Sequence, residues 1–171
     1  DLLEKSYLPP LKGNSIIEVP LAVSGNKLCA AIKDGNIETW DLSTGELMHS
    51  LSKNGGSAAA LAVGEGKLCV GYDSGTIDVW DLNEGTLLGT LQGHTQVIAS
   101  LSLTDKKLVS SCWGEMIYVW DLEGGQCLHN FRIPNVSNSL ICGEVLCSSN
   151  TAGQVELWDL ETGSRLHYFD E

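Results

Sequence analysis

Six cysteines, four histidines and 22 acidic side chains carry whatever chemistry this sequence could perform. A bound metal would need Cys or His at ligand spacing, yet no CxxC pair occurs, and the closest cysteines, Cys142 and Cys147, have four residues between them. Cys29, Cys69 and Cys147 each stand eleven residues before a Trp. Residues so placed hold the same position in successive structural units, a whole sheet apart, so core packing is expected of them and not a shared metal. Cys112, Cys127 and Cys142 have no His partner at ligand spacing. His49, His129 and His167 each follow a Trp by nine residues and read as surface residues of an outer strand. His94 has no nucleophile beside it in sequence, and G-x-S-x-G, P-loop, H-E-x-x-H and Ca-loop patterns are absent. Glu38, Asp78 and Glu156, two residues before a Trp, read as a solvated acidic stripe and not as a catalytic pair. The expectation is a protein without catalytic residues, metal or cofactor.

The Trp residues that index these positions reveal the organisation. Trp40-Asp41, Trp80-Asp81, Trp120-Asp121 and Trp158-Asp159 recur at spacings of 40, 40 and 38 residues. Around each lies one phrase: GNIETWDLSTGELMHSL, GTIDVWDLNEGTLLGTL, EMIYVWDLEGGQCLHNF and GQVELWDLETGSRLHYF. Ile37, Ile77, Ile117 and Val155 alternate with polar neighbours before the Trp, as a period-2 strand requires. The Asp-Leu-x-x-Gly segment that follows is turn chemistry, so a hairpin follows each Trp. Upstream runs such as KLCAAIKDG and KLCVGYDSG supply a third strand, and runs such as IIEVPLAV and VIASLSL a fourth. Four short strands per repeat of about 40 residues is the pattern of a propeller blade.

These four in-register phrases resemble the WD-repeat family of β-propellers over essentially the whole chain. The resemblance implies an all-β fold of four four-stranded antiparallel blades, forming part of a larger propeller of about seven. Its repeats would span 12–51, 52–91, 92–131 and 132–171. The family pattern includes a Gly-His dipeptide and an Asp six residues before the Trp, which join a Ser/Thr and the Trp in a buried hydrogen-bonded tetrad. Here Gly93-His94 supplies the dipeptide but has Gly114 at the Asp position, and Asp34 supplies the Asp without a His. No repeat carries all four members, so these blades are expected to be less rigidly tied.

The first eleven residues join the series, with Asp1 over Asp41, Leu2 over Leu42 and Leu11 over Leu51. They read as the outer strand of a preceding blade, Pro9-Pro10 being tolerable on an edge. Four blades and one leftover strand predict a segment of a longer propeller, against the competing expectation of a self-closed or dimer-closed four-blade unit.

In the family, partners dock on the loops between the second and third strands and on those leading into the first. The candidates here are Lys33 with Asp34, Tyr72 with Asp73, Trp113 with Glu115, Gln96 beside His94, and Arg132. Trp113 lies outside the Trp-Asp series, and its counterparts Lys33, Asp73 and Thr151 are polar. Aromatics and Arg dominate interface hot spots, so Trp113 is expected to bind a partner. The competing expectation is that it folds down over the central channel. A Lys-rich or modified peptide could use Tyr72 and Trp113 as cage aromatics beside Asp73 and Glu115.

The charge balance excludes more than it selects. Ten basic residues against 22 acidic give −12, which repels a phosphate backbone and argues against nucleic acid. Two arginines, Arg132 and Arg165, are too few for a phosphodegron receptor. Ser43, Asn83, Glu123 and Glu161 stand where ligase adaptors of the family often carry a basic residue, so these positions do not support that route; a substrate-recruiting subunit of a ubiquitin ligase, with other domains outside this stretch, is kept only as an alternative. No apolar run suits a membrane span, and the cysteine usage suits a reducing compartment, cytoplasm or nucleus. The reading is a protein-interaction scaffold within a larger assembly.

Overall fold

Each repeat of about 40 residues becomes one antiparallel four-stranded sheet because its four short runs are separated by short turns. The computed structural model describes residues 10–12, 17–32, 35–52, 56–104 and 106–170. The first sheet contains β1 (Ile17–Ser24), β2 (Lys27–Ile32), β3 (Ile37–Asp41) and β4 (Leu47–Leu51). The second contains β5 (Ala58–Gly64), β6 (Lys67–Tyr72), β7 (Ile77–Asp81) and β8 (Thr86–Leu91). The third contains β9 (Ile98–Leu103), β10 (Lys107–Cys112), β11 (Met116–Asp121) and β12 (Gln126–Arg132). The fourth contains β13 (Val136–Cys142), β14 (Val145–Asn150), β15 (Val155–Asp159) and β16 (Arg165–Phe169). In every sheet sequential strands are neighbours, and the first strands pack in series, β1 on β5, β5 on β9 and β9 on β13. This is an all-β arrangement of four propeller blades. Among the described residues no helix is long and apolar enough to cross a membrane.

The Trp-Asp pair builds the outer hairpin of each blade. The register between third and fourth strands shifts at the Trp in all four sheets, a bulge that increases the local twist. The Asp then closes the turn by accepting two backbone N–H groups. Asp41 takes those of Ser43 and Thr44 at 2.8 and 3.1 Å, and Asp159 those of Glu161 and Thr162 at 3.0 and 2.7 Å. Asp81 and Asp121 do the same for the residues two and three positions on. The carboxyls of Asp41, Asp81 and Asp159 lie below the ordinary Asp range, held there chiefly by the Ser43 hydroxyl, the Glu84 N–H and the Thr162 N–H respectively.

Blades meet through apolar clusters that repeat along the chain. Cys29, Ile37 and Leu51 of the first pack against Leu68, Val70 and Trp80 of the second. Cys69, Ile77 and Leu91 of the second pack against Ile98, Leu108 and Trp120 of the third. Val109, Ile117 and Phe131 of the third pack against Leu146, Leu160 and Trp158 of the fourth. Cys29 and Cys69 are therefore core residues, and burial pushes both thiols up to about 12.

Two sequence expectations need correction. His49 and His129 are not mere surface residues: each ring nitrogen Nε2 bonds the turn of the next blade, at the Asn83 and Glu161 carbonyls, 2.8 and 2.9 Å away. A hydrogen bond of this kind contributes about 1 kcal/mol, so His129→Ala should lower the unfolding free energy by that amount in urea titration. The acidic positions before the Trp are likewise not a solvated stripe. Asp78 is fully buried and accepts from Tyr72 Oη at 3.0 Å and Thr90 Oγ1 at 2.6 Å, Glu38 is buried, and Glu156 is half-buried at 3.6 Å from Arg165. The cause is that a strand inside a stack of blades is covered on both faces, so alternation no longer means exposure.

Candidate interaction face

The turns between second and third strands interlock with the loops leading into the first strands, and this fixes one rim of the stack. Asp73 accepts the Ser57 N–H at 3.1 Å, tying the turn of the second blade to that blade's own lead-in loop. Gly75 lies so close to the next lead-in loop that a Cβ on it would sit 2.6 Å from the His94 carbonyl oxygen. The Trp113 N–H donates to the Val97 carbonyl at 3.2 Å, and the Ile133 N–H donates to the Glu115 carbonyl at 2.8 Å. The Thr151 N–H donates to the Asn135 carbonyl at 3.0 Å. Loop positions across three blades are thereby held by backbone contacts, so side chains can vary there without loss of the frame.

Within this rim the third blade carries the most distinctive group. Trp113 is 72% exposed in this arrangement of four blades. Two residues on, Glu115 has φ +66°, where the other blades have Gly35, Gly75 and Gly153. A side chain in that region strains the backbone by about 1–2 kcal/mol. Arg132 reaches back to the Glu115 carboxylate with Nε and Nη2 at 3.3 and 3.2 Å. Gln96 lies against Gly114 on the other side, its Cδ 3.2 Å from where a Cβ would stand. The structure therefore brings Trp113, Gln96 and Arg132 to one corner. Glu115 joins them through its strained turn, and the signal for that in sequence is a Glu in a column of glycines.

Tyr72 does not belong to this surface. It is fully buried, bonded to Asp78, and packed in the core between the first and second blades, so the expectation of a cage aromatic is corrected. Asp73 is exposed on the same rim, while Lys33 and Asp34 lie outside the described residues.

Behind the corner stands a partial polar chain. Trp120 Nε1 donates to Ser110 Oγ at 2.8 Å, and Ser110 Oγ lies 2.7 Å from His94 Nε2. The His94 ring also meets Tyr118 edge-on at 4.4 Å. His94 Nδ1 is buried without a polar partner among the described residues. Burial lowers the His94 pKa to about 4, partly offset by its bond to Ser110. The other repeats have less: Trp40 Nε1 donates to the Lys12 carbonyl at 3.1 Å, and Trp80 and Trp158 Nε1 have no partner among the described residues. No cluster of three His, Cys, Asp or Glu side chains that could hold a metal occurs among the described residues.

No family model matches the chain, and no curated protein does. Solved structures do. The computationally designed Ika4 protein is 29% identical with a TM-score of 0.81, over 90% of this chain and 98% of that one. The computationally designed Ika8 protein is 27% identical with a TM-score of 0.78, over 88% of this chain and 48% of that one. A chain of the mitotic checkpoint complex is 21% identical with a TM-score of 0.80, over 88% of this chain and 50% of that one. The chain thus spans about half the length of the second and third of these and nearly all of the first. The likeness to the last shows the fold alone, and together the three agree with the sheet topology in making this a β-propeller arrangement of four blades.

Proposed function

We propose that this chain is a WD-repeat scaffold that binds another protein, without catalysing a reaction, through the rim corner of Trp113, Gln96 and Arg132. One observation carries the reading: a 72% exposed indole stands on a turn whose frame needs no aromatic. Exposing that much apolar surface is unfavourable in water and becomes favourable when a partner covers it. The strained Glu115 beside it, held by Arg132, keeps the turn in one shape, which lowers the ordering cost of docking. Resemblance of the fold to a chain of the mitotic checkpoint complex, itself a protein assembly, supports a protein partner.

Trp113→Ala tests this. Proteins retained on the immobilised chain should be lost from the variant and kept by Leu87→Ala, which removes an exposed side chain on the outer strand β8. Equal retention by all three proteins would refute the corner as the docking site.

A further inference from the structure

One interblade joint in this chain lacks the side chain that fills it elsewhere. His49 of β4 and His129 of β12 stand opposite Thr39 and Val119, and Gly89 of β8 holds the same register opposite Val79. Both histidines lie on the outer turn of the next blade. Each Nε2 bonds a carbonyl three residues after a Trp, that of Asn83 or Glu161, at 2.8 or 2.9 Å. Each ring also covers the glycine of that turn: a Cβ on Gly85 would stand 2.6 Å from His49 Nδ1, and one on Gly163 would stand 2.8 Å from His129 Nδ1.

The third blade presents the same turn uncovered. Gly125 has φ +65°, against +66° at Gly85 and +69° at Gly163, and Asp121 closes the turn through the Glu123 and Gly124 N–H groups as its counterparts do. Among the described residues, however, nothing beyond the chain neighbours lies within 4 Å of a Cβ on Gly125, and the same holds for Gly89. Between the two glycines is a cavity of about 170 Å³, bounded by the buried side chains of Val79 and Leu91 and by Leu122, Glu123 and Gly124. An apolar cavity of about 150 Å³ holds a benzene ring, so this one has room for an imidazole. Glu123, at the repeat position of Asn83 and Glu161, supplies the carbonyl acceptor.

We propose that this cavity is a docking pocket for a histidine side chain of a partner protein. The occupant is identified by the two joints where the same turn is filled, each by an imidazole whose Nε2–H donates to that carbonyl. A glycine inside a strand marks a place of close approach by another group. It lets a ring from a neighbouring segment lie across the strand, as aromatics do over edge glycines. In its sheet β8 is bonded only to β7, so its outer edge offers main-chain partners to a polypeptide that free imidazole cannot use. The pocket lies by the turn between β11 and β12, at the far end of β11 from Trp113, so failure of either surface leaves the other untouched.

Nuclear magnetic resonance titration of the chain with the end-blocked peptide LMHSL, the sequence of β4, tests this. The expected result is saturable shifts of the Gly89, Gly124 and Gly125 amides, with about tenfold weaker binding of LMASL and of free imidazole. Gly89→His fills the cavity from within, so it should abolish those shifts and raise the urea midpoint. His129→Gly should open the same cavity at the next joint, and the peptide should then shift Gly163 as well. Absence of saturable shifts, equal affinity for LMASL, or binding unchanged in Gly89→His would overturn the proposal. Equal affinity for free imidazole would overturn the polypeptide as the source of the ring.

Discussion

Gly75→Ala should lower the unfolding free energy by about 3 kcal/mol, far more than an exposed turn substitution ordinarily costs. Two effects add. At φ +86° an L side chain is strained, and the added Cβ would lie 2.6 Å from the His94 carbonyl oxygen and 2.9 Å from that of Gln96. Both are backbone atoms of the lead-in loop of the third blade, so relief requires moving the loop that carries Gln96 and orients His94. The chain contains its own control. Gly153 has nearly the same φ, +85°, at the same repeat position in the fourth blade, but no atom lies within 4 Å of its would-be Cβ. Gly153→Ala should therefore cost only the strain, about 1 kcal/mol. Urea midpoints of the two variants separate the contributions, and equal losses would show that the loop contact contributes nothing.

Acidification should remove about 3 kcal/mol of stability through His94 alone between pH 6.5 and about 4. In the unfolded chain this imidazole takes up its proton near its ordinary value of 6.5, while in the folded chain burial delays uptake to about 4. Across that window the unfolded state binds more protons, so stability falls as the pH falls; above 6.5 the contribution is complete. Below that window the Trp-Asp carboxylates act in the same direction. Asp41, Asp81 and Asp159 titrate lower folded than unfolded, so their contribution is present above the ordinary Asp range and lost as they protonate in the native state. His94→Gln removes the first component and keeps a group that can bond Ser110. Unfolding followed by Trp fluorescence at stepped pH should show the slope between 6.5 and 4 in wild type and its loss in the variant, with the other three histidines common to both. A parallel slope in the two proteins would place the titrating group elsewhere.

The blades were legible because their signal repeats. Four Trp-Asp pairs near a 40-residue period, each followed by turn residues and preceded by an alternating run, leave little choice of sheet or strand order. The same alternation misled at Asp78. A lone antiparallel sheet with one solvated face would expose Asp78, but a sheet stacked between two others covers both faces, and Asp78 is accommodated by donors from Tyr72 and Thr90. Tyr72 aligns with loop residues by count yet ends β6 inside the first interface, because interlocked turns extend the covered zone beyond the strands. The interblade bonds of His49 and His129 were illegible for a different reason: their acceptors are carbonyls 34 and 32 residues away, and backbone acceptors leave no trace in residue type. Of the candidate corner, Trp113 was visible as a departure from the repeat and Arg132 as a candidate in a lead-in loop, and only the fold could join them through Glu115.

The most direct test of the central claim, that the Trp113 corner is a binding surface and not a structural element, pairs two readouts on Trp113→Ala. The side chain is 72% exposed, so its removal should change the unfolding free energy by less than about 0.5 kcal/mol. Partner retention should nonetheless be lost. A variant that unfolds more easily while retaining the same proteins would contradict the account.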